Sequence, residues 1–186
     1  MGNKTKLMLF TVLAVVQLAV PFQMIFHQED ILDTGKVWKF RTAPVDPNDP
    51  FRGKYVYLNY EQTNFRIKSK DLWKSGQTVF ANLTTDEKGY AKVASISSQR
   101  PNNPNYVTAK VDYVFGLDKP TLTISYPFDR FYVNEYKAAK AERIYNESSD
   151  NVKKEAYAVV LLKEGEGVIS DVMVDNISIK VLATKR

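Results

Sequence analysis

Cysteine is absent from this chain and histidine occurs once, as His27. Thiol nucleophiles, iron–sulfur clusters, Cys/His zinc sites and any Ser-His triad not built on His27 are therefore excluded. The missing cysteine does not place the chain in a compartment. It fits an extracytoplasmic domain that dispenses with disulfides and a cytosolic one equally well. One-sided charge is also scarce: 26 Lys and Arg against 21 Asp and Glu leave a net +5, with no basic tract, so nucleic-acid binding has no support. No low-complexity run is present, and 11 Tyr, 10 Phe and 2 Trp supply material for a folded core. The 186 residues allow one globular unit and little besides.

What the chain does have is a long apolar run. In residues 7–26, LMLFTVLAVVQLAVPFQMIF, only Thr11, Gln17, Pro21 and Gln23 are not apolar. As a helix at ~1.5 Å per residue these twenty positions reach roughly 30 Å, one crossing of a bilayer core. Lys4 and Lys6 precede the run and His27, Gln28, Glu29 and Asp30 follow it. The positive-inside bias then puts residues 1–6 in the cytoplasm and everything after the span outside. A cleaved signal peptide needs a shorter apolar region and small residues at its exit, whereas the exit here is Phe22 to Phe26. The expectation is an uncleaved single-pass signal anchor over 7–26, a juxtamembrane linker over 27–35 and an extracytoplasmic domain over 36–186.

Beyond the anchor the pattern changes to period-two alternation rich in Val, Ile, Thr, Tyr and Phe. Strands are expected at 36–41, 54–60, 77–83, 90–98, 106–115, 121–127, 155–163, 167–174 and 177–182. Asp86-Glu87-Lys88-Gly89 and Lys163-Glu164-Gly165-Glu166-Gly167 read as hairpin turns, and Arg100 to Asn105 as a Pro/Asn loop. Asp175-Asn176 closes another hairpin, because both side chains tolerate left-handed backbone. The fold class is mainly β, an antiparallel barrel or sandwich. One helix is expected near 134–146, rich in Ala, Glu and Lys, with Asn134 as N-cap, Glu135 in its first turn and Ala138, Ala141, Ile144 and Tyr145 on one face. Sequons at Asn3, Asn82, Asn146 and Asn176 matter only in a host that glycosylates.

The most unusual stretch is residues 43–61, APVDPNDPFRGKYVYLNYE. Pro44, Pro47 and Pro50 stiffen its first half and hold Ala43, Asp46 and Asp49 out of the helical region. Gly53 opens a strand whose alternation puts Val56, Leu58 and Tyr60 on the core face and Tyr55, Tyr57 and Asn59 on the other. At these residues the sequence resembles the GDYXXLXY family of bacterial membrane-anchored proteins, named for Gly-Asp-Tyr-x-x-Leu-x-Tyr. Gly53, Tyr55, Leu58 and Tyr60 match the named positions, and Lys54 stands where the name has Asp. Asp46, Asp49 and Arg52 resemble the family's lead-in. Arg130-Phe131-Tyr132-Val133 and Glu135 resemble a later segment, with Asn134 in place of a proline. The resemblance covers the anchor and nearly the whole domain. It implies a membrane-anchored protein with no assigned chemistry, in the company of a multi-pass membrane protein.

The residues themselves give no complete catalytic motif, and no metal or cofactor is implied. Asp46 and Asp49 with Glu61 or Glu135 form a carboxylate-rich group, yet their spacing is not that of a calcium loop, and aspartates before proline are foremost turn formers. Arg52 or Arg130 paired with Asp46, Asp49 or Glu135 would pin the loop to the helix start. Ser69, Ser75, Ser95, Ser97, Ser98 and Ser125 sit in no nucleophile motif that would suit a Ser-Lys hydrolase. His27 is placed at the membrane interface. Tyr55, Tyr57, Tyr60, Tyr106, Tyr113, Tyr126 and Tyr132 are either a binding surface or core and cross-strand pairs. The expectation is a non-enzymatic interaction or structural module beside another membrane protein. The alternatives are an envelope glycan- or ligand-binding module and a membrane-bound hydrolase.

Overall fold

The computed structural model describes residues 2–43, 55–70, 72–116, 119–134, 136–137, 140–141, 143–145 and 155–184. The apolar run becomes one helix, α1 (Asn3–Thr34), that is long and apolar enough to cross a membrane. Over residues 7–26 it is predominantly apolar on every side and is not covered by the rest of the chain, the pattern a membrane-crossing helix would need. It does not stop at Phe26. The stretch expected to be a linker continues the helix for two more turns, and Gly35 ends it by giving its N–H to the Ile31 carbonyl at 2.9 Å. A side chain at Gly35 would run into that carbonyl, which accounts for glycine there.

The remainder is mainly β, as the alternation predicts. Its strands are β1 (Lys36–Ala43), β2 (Tyr55–Tyr57), β3 (Asn59–Tyr60), β4 (Asn64–Arg66), β5 (Thr78–Thr85), β6 (Ala91–Ser97), β7 (Tyr106–Phe115), β8 (Thr121–Ser125), β9 (Arg130–Tyr132), β10 (Ala156–Lys163), β11 (Glu166–Val174) and β12 (Ile177–Ser178). One sheet has the order β12-β11-β10-β1-β3, a second β4-β8-β7-β5-β6, and β2 and β9 form a ribbon. Every pairing among the described residues is antiparallel. Inward residues of both five-stranded sheets, among them Trp38, Phe40, Val160, Val79, Val107 and Ile124, make one hydrophobic cluster. Tyr136, Lys137, Lys140, Ala141, Arg143, Ile144 and Tyr145 are helical and form α2. Ala141 and Tyr145 are fully buried from it, Ile144 is half-buried, and the Asn134 side chain accepts the Tyr136 N–H at 3.1 Å, so the expected cap holds along with these three residues of the expected face; Ala138 and Glu135 lie outside the described residues.

Two expected strands need correction. The strand expected at 54–60 is two strands: β2 pairs with β9, β3 pairs with β1, and Leu58 sits at the changeover. The strand expected at 177–182 is two residues of β12 followed by α3 (Ile179–Leu182). Ser178 caps that helix by accepting the Lys180 N–H, and Ile179 and Ala183 are buried four apart, a helical spacing that alternation of β-branched residues hides. Strands β4 and β9 were not anticipated, because three residues are too few to show a period.

Candidate functional site

The motif strand is built into the core. Val56, Leu58 and Tyr60 are all buried, which is the face that alternation assigns to them. Leu58 gives its N–H to the Asp129 carbonyl at 2.8 Å, and the Tyr60 hydroxyl donates to the Phe128 carbonyl at 2.6 Å. Tyr60 meets Phe40, Tyr126 and Phe128 edge-on at 5.7, 5.4 and 5.6 Å between ring centres. Burial pushes the Tyr60 phenol well above its ordinary value and raises that of Tyr126, whose hydroxyl donates to the Gln62 carbonyl. Both hydroxyls tie one chain segment to another.

On the outer face of the same strand, Tyr55 packs against Tyr132 at 5.7 Å, and the Arg130 guanidinium lies 5.2 Å above the Tyr55 ring. The β2–β9 ribbon thus brings Tyr55, Arg130 and Tyr132 together on one face, while Leu58, at the changeover, and Tyr60, on β3 beside β1, lie in the core. Asp46, Asp49, Arg52, Gly53 and Glu135 lie outside the described residues, as do the ion pairs expected of them. Arg130 has its neighbour Asp129 at 3.6 Å, and that carboxylate is the foremost influence raising the guanidinium pKa.

Between the motif strand and β8 lies a cleft of about 180 Å³, lined by Tyr57, Asn59, Thr63, Asp112, Ser125 and Asp129 among others. Asp112 enters it because it is the extra residue of a bulge: Val111 pairs with Ile124 and Tyr113 with Thr123. Ser125 donates to the Asp112 carboxylate at 2.7 Å, and Ser75 donates to the Asp112 backbone carbonyl at 2.6 Å. Two of the serines considered as nucleophiles are therefore turned toward one aspartate. The seven tyrosines divide by depth: Tyr60, Tyr106 and Tyr126 are buried, Tyr55 and Tyr57 are half-buried, and Tyr113 and Tyr132 are exposed.

A polar cluster that sequence reasoning missed ties β1 to the β5–β6 hairpin and the start of β10. Arg41 pairs with Asp86 at 3.1 Å and lies over the Tyr90 ring at 4.2 Å. Asp86 accepts the N–H groups of Tyr90 and Lys88 at 2.8 and 2.9 Å, and these bonds, led by Tyr90, hold its carboxyl below the usual range. Glu155 accepts from Lys88 and from the Tyr90 hydroxyl, which lowers its own pKa. Burial and the Glu155 bond push the Tyr90 phenol up to about 12. Asp86 was recognisable as a turn former; its distant partner Arg41, and the distant partner Glu155 of Tyr90, were not.

The second missed feature joins α1 to the domain. Ile31 is fully buried against it. Lys163 reaches from the end of β10 to the Asp30 carboxylate at 2.6 Å and the Thr34 hydroxyl at 2.8 Å. One turn earlier, His27 Nε2 lies 2.7 Å from the Glu166 carboxylate at the start of β11. His27 stands at the expected membrane exit and is at the same time a contact of the domain.

The family model described as GDYXXLXY protein matches residues 17–172 of this chain. The chain belongs to the GDYXXLXY family. No curated protein and no solved structure matches it. The GDYXXLXY match begins inside α1 and ends in β11, so it takes in the docked end of the helix, the motif strand and the β10–β11 hairpin as one unit. In this member the motif's Leu58 and second tyrosine, Tyr60, are core residues, while its first tyrosine, Tyr55, lies in the half-buried aromatic stack with Tyr132.

Proposed function

We propose that this protein is a single-pass membrane protein whose extracytoplasmic β domain is a non-enzymatic interaction or structural module working with another membrane protein. The observation that carries this reading is the continuity of α1: one helix both supplies the apolar span and docks, with Ile31 buried, by Asp30 and Thr34 onto Lys163 of β10 and by His27 onto Glu166 of β11. A tether of this kind holds the domain at the bilayer surface and fixes its orientation. In-plane confinement raises effective concentration, so a weak contact with a neighbour suffices. Lys4 and Lys6 before the span favour a cytoplasmic N-terminus. The test is to replace residues 7–26 with an unrelated spanning helix and, separately, to scramble residues 43–54, then compare membrane complexes by native electrophoresis. At least one change is expected to dissolve a complex; complexes unchanged by both would overturn the reading.

A second reading, an envelope glycan- or ligand-binding module, has one observation in its favour. An open groove of about 700 Å³ runs along β6 into the β6–β7 loop, lined by Asn82, Ser95, Ser97, Gln99, Arg100 and Asn103 among others. Asn103 donates to Asn82 and Asn82 to Ser95, so the amides are pre-set for a hydroxyl-rich ligand. This reading predicts retention on cell-wall polymer that is lost in Asn82→Ala.

A further inference from the structure

Gln17 combines two polar groups at the worst place for them. It lies at the middle of the apolar run 7–26, hence at the bilayer midplane. Its carboxamide makes no hydrogen bond to any described residue. Its backbone carbonyl would accept from the N–H four residues on, but that residue is Pro21, which has none. Hydrocarbon offers the carboxamide no substitute, so it calls for a polar partner inside the membrane, and the carbonyl beside it can accept from the same partner.

The position of Gln17 on the helix decides what that partner is. Fourteen residues separate it from Ile31, and at ~100° per residue this falls within about 40° of four full turns. Gln17 thus shares a side of α1 with Leu13, Val20, Met24 and the docked pair His27 and Ile31, spaced by alternate fours and threes as in a coiled-coil seam. A helix packed along that seam meets the β10–β11 hairpin as it leaves the bilayer. A parallel second copy of this chain does not fit there: its own α1 continues as helix through Thr34, roughly 12 Å past Phe26, into space the first domain fills.

Resting on the membrane-partner reading above, we infer that the side of α1 bearing Gln17 is the docking surface for a transmembrane helix of a multi-pass protein. That helix carries a hydroxyl, amide or other donor side chain at mid-depth and turns back beneath the β10–β11 hairpin. Gln17 and its freed carbonyl recognise the donor; Leu13, Val20 and Met24 pack beside it.

The test uses the full-length chain in its native membrane with a photo-crosslinking residue placed singly at Leu13, Val20 or Met24, or on the far side at Val15, Leu18 or Phe22. The expected result is an adduct with another membrane protein from the first three positions and not from the last three. Gln17→Leu, which leaves the span at least as apolar, is expected to lower the Met24 adduct about tenfold, and Gln17→Asn to retain part of it. Adducts with a protein from the far side only, or equally from both sides, would overturn the seam while leaving the proposed function standing, as would an unchanged yield in Gln17→Leu. Adducts with a second copy of this chain would overturn the assignment of the partner. No protein adduct from any position would overturn the proposed function and with it this inference.

Discussion

Tyr60→Phe removes one oxygen and nothing else from the motif. The lost hydroxyl donates to the Phe128 carbonyl at 2.6 Å in a fully packed site, so the change strands a buried acceptor. A stranded buried acceptor costs about 1–3 kcal/mol. For a chain of 186 residues, taking ~2 kcal/mol at 2–4 °C per kcal/mol, the melting temperature falls by roughly 4–8 °C. Tyr60→Leu also loses the edge-on contacts with Phe40, Tyr126 and Phe128, at about 0.5–1.5 kcal/mol each, and should cost a further ~2–4 kcal/mol. The assay is thermal unfolding of the full-length chain in detergent, followed by near-ultraviolet dichroism, which reports the ring cluster. Tyr132→Phe, at a ring 66% exposed, is the control and should melt within about 1 °C of the parent. If Tyr60→Phe also melts with the parent, the motif tyrosine is not holding these segments together, and a structural account of the motif is wrong.

Gly165→Ala should destabilise more than Gly89→Ala: both sit at positive φ (85° and 81°), but only at Gly165 would a Cβ strike Tyr106 and Thr108, adding about 1–3 kcal/mol to a conformational cost of ~1–2 kcal/mol; paired melting curves decide it. Asp86 and Glu155 have carboxyls held below their ordinary 3.8 and 4.5, so their stabilisation is present above those values and is lost as pH falls through the lower folded ones. Denaturation midpoints should therefore decline below pH ~4.5, less steeply in Asp86→Asn. At the alkaline end Tyr90 is raised from 10.0 to about 12, so its contribution is intact below pH 10 and lost as pH rises through 12; Tyr90→Phe should blunt that decline. Undocking α1 by Ile31→Ala with Lys163→Met removes a buried side chain, at about 2–5 kcal/mol, together with the bonds to Asp30 and Thr34. With no native cysteine, spin labels at Gln28→Cys and Asn102→Cys should give a narrow distance distribution that broadens in the double variant.

Features confined to neighbouring residues were legible in the sequence. The long α1 helix shows as an apolar run broken by four residues only, and the hairpin turns show as Asp, Asn and Gly where the backbone does adopt positive φ: Gly89, Gly165, and Asp175 and Asn176 at 50° and 62°. The inward face of the motif strand followed from alternation, although its division between two sheets did not, since Leu58 breaks the pairing without breaking the period. What stayed hidden depends on distance along the chain. His27 meets Glu166 across 139 positions, and Tyr90 meets Glu155 across 65, and no local pattern marks either pair. The helical extension of α1 through 27–34 was hidden for another reason: a polar HQEDILDT segment carries one buried residue, Ile31, so it shows no apolar face until the domain is in place.

The central claim, that a tethered domain works beside another membrane protein, is tested most directly by cross-linking the unmodified full-length chain in its native membrane and identifying the adducts by mass spectrometry. The account predicts one recurrent membrane partner, lost when residues 2–35 are replaced by an unrelated anchor. Recovery of self-adducts alone, with the intact chain abundant and folded, would contradict it.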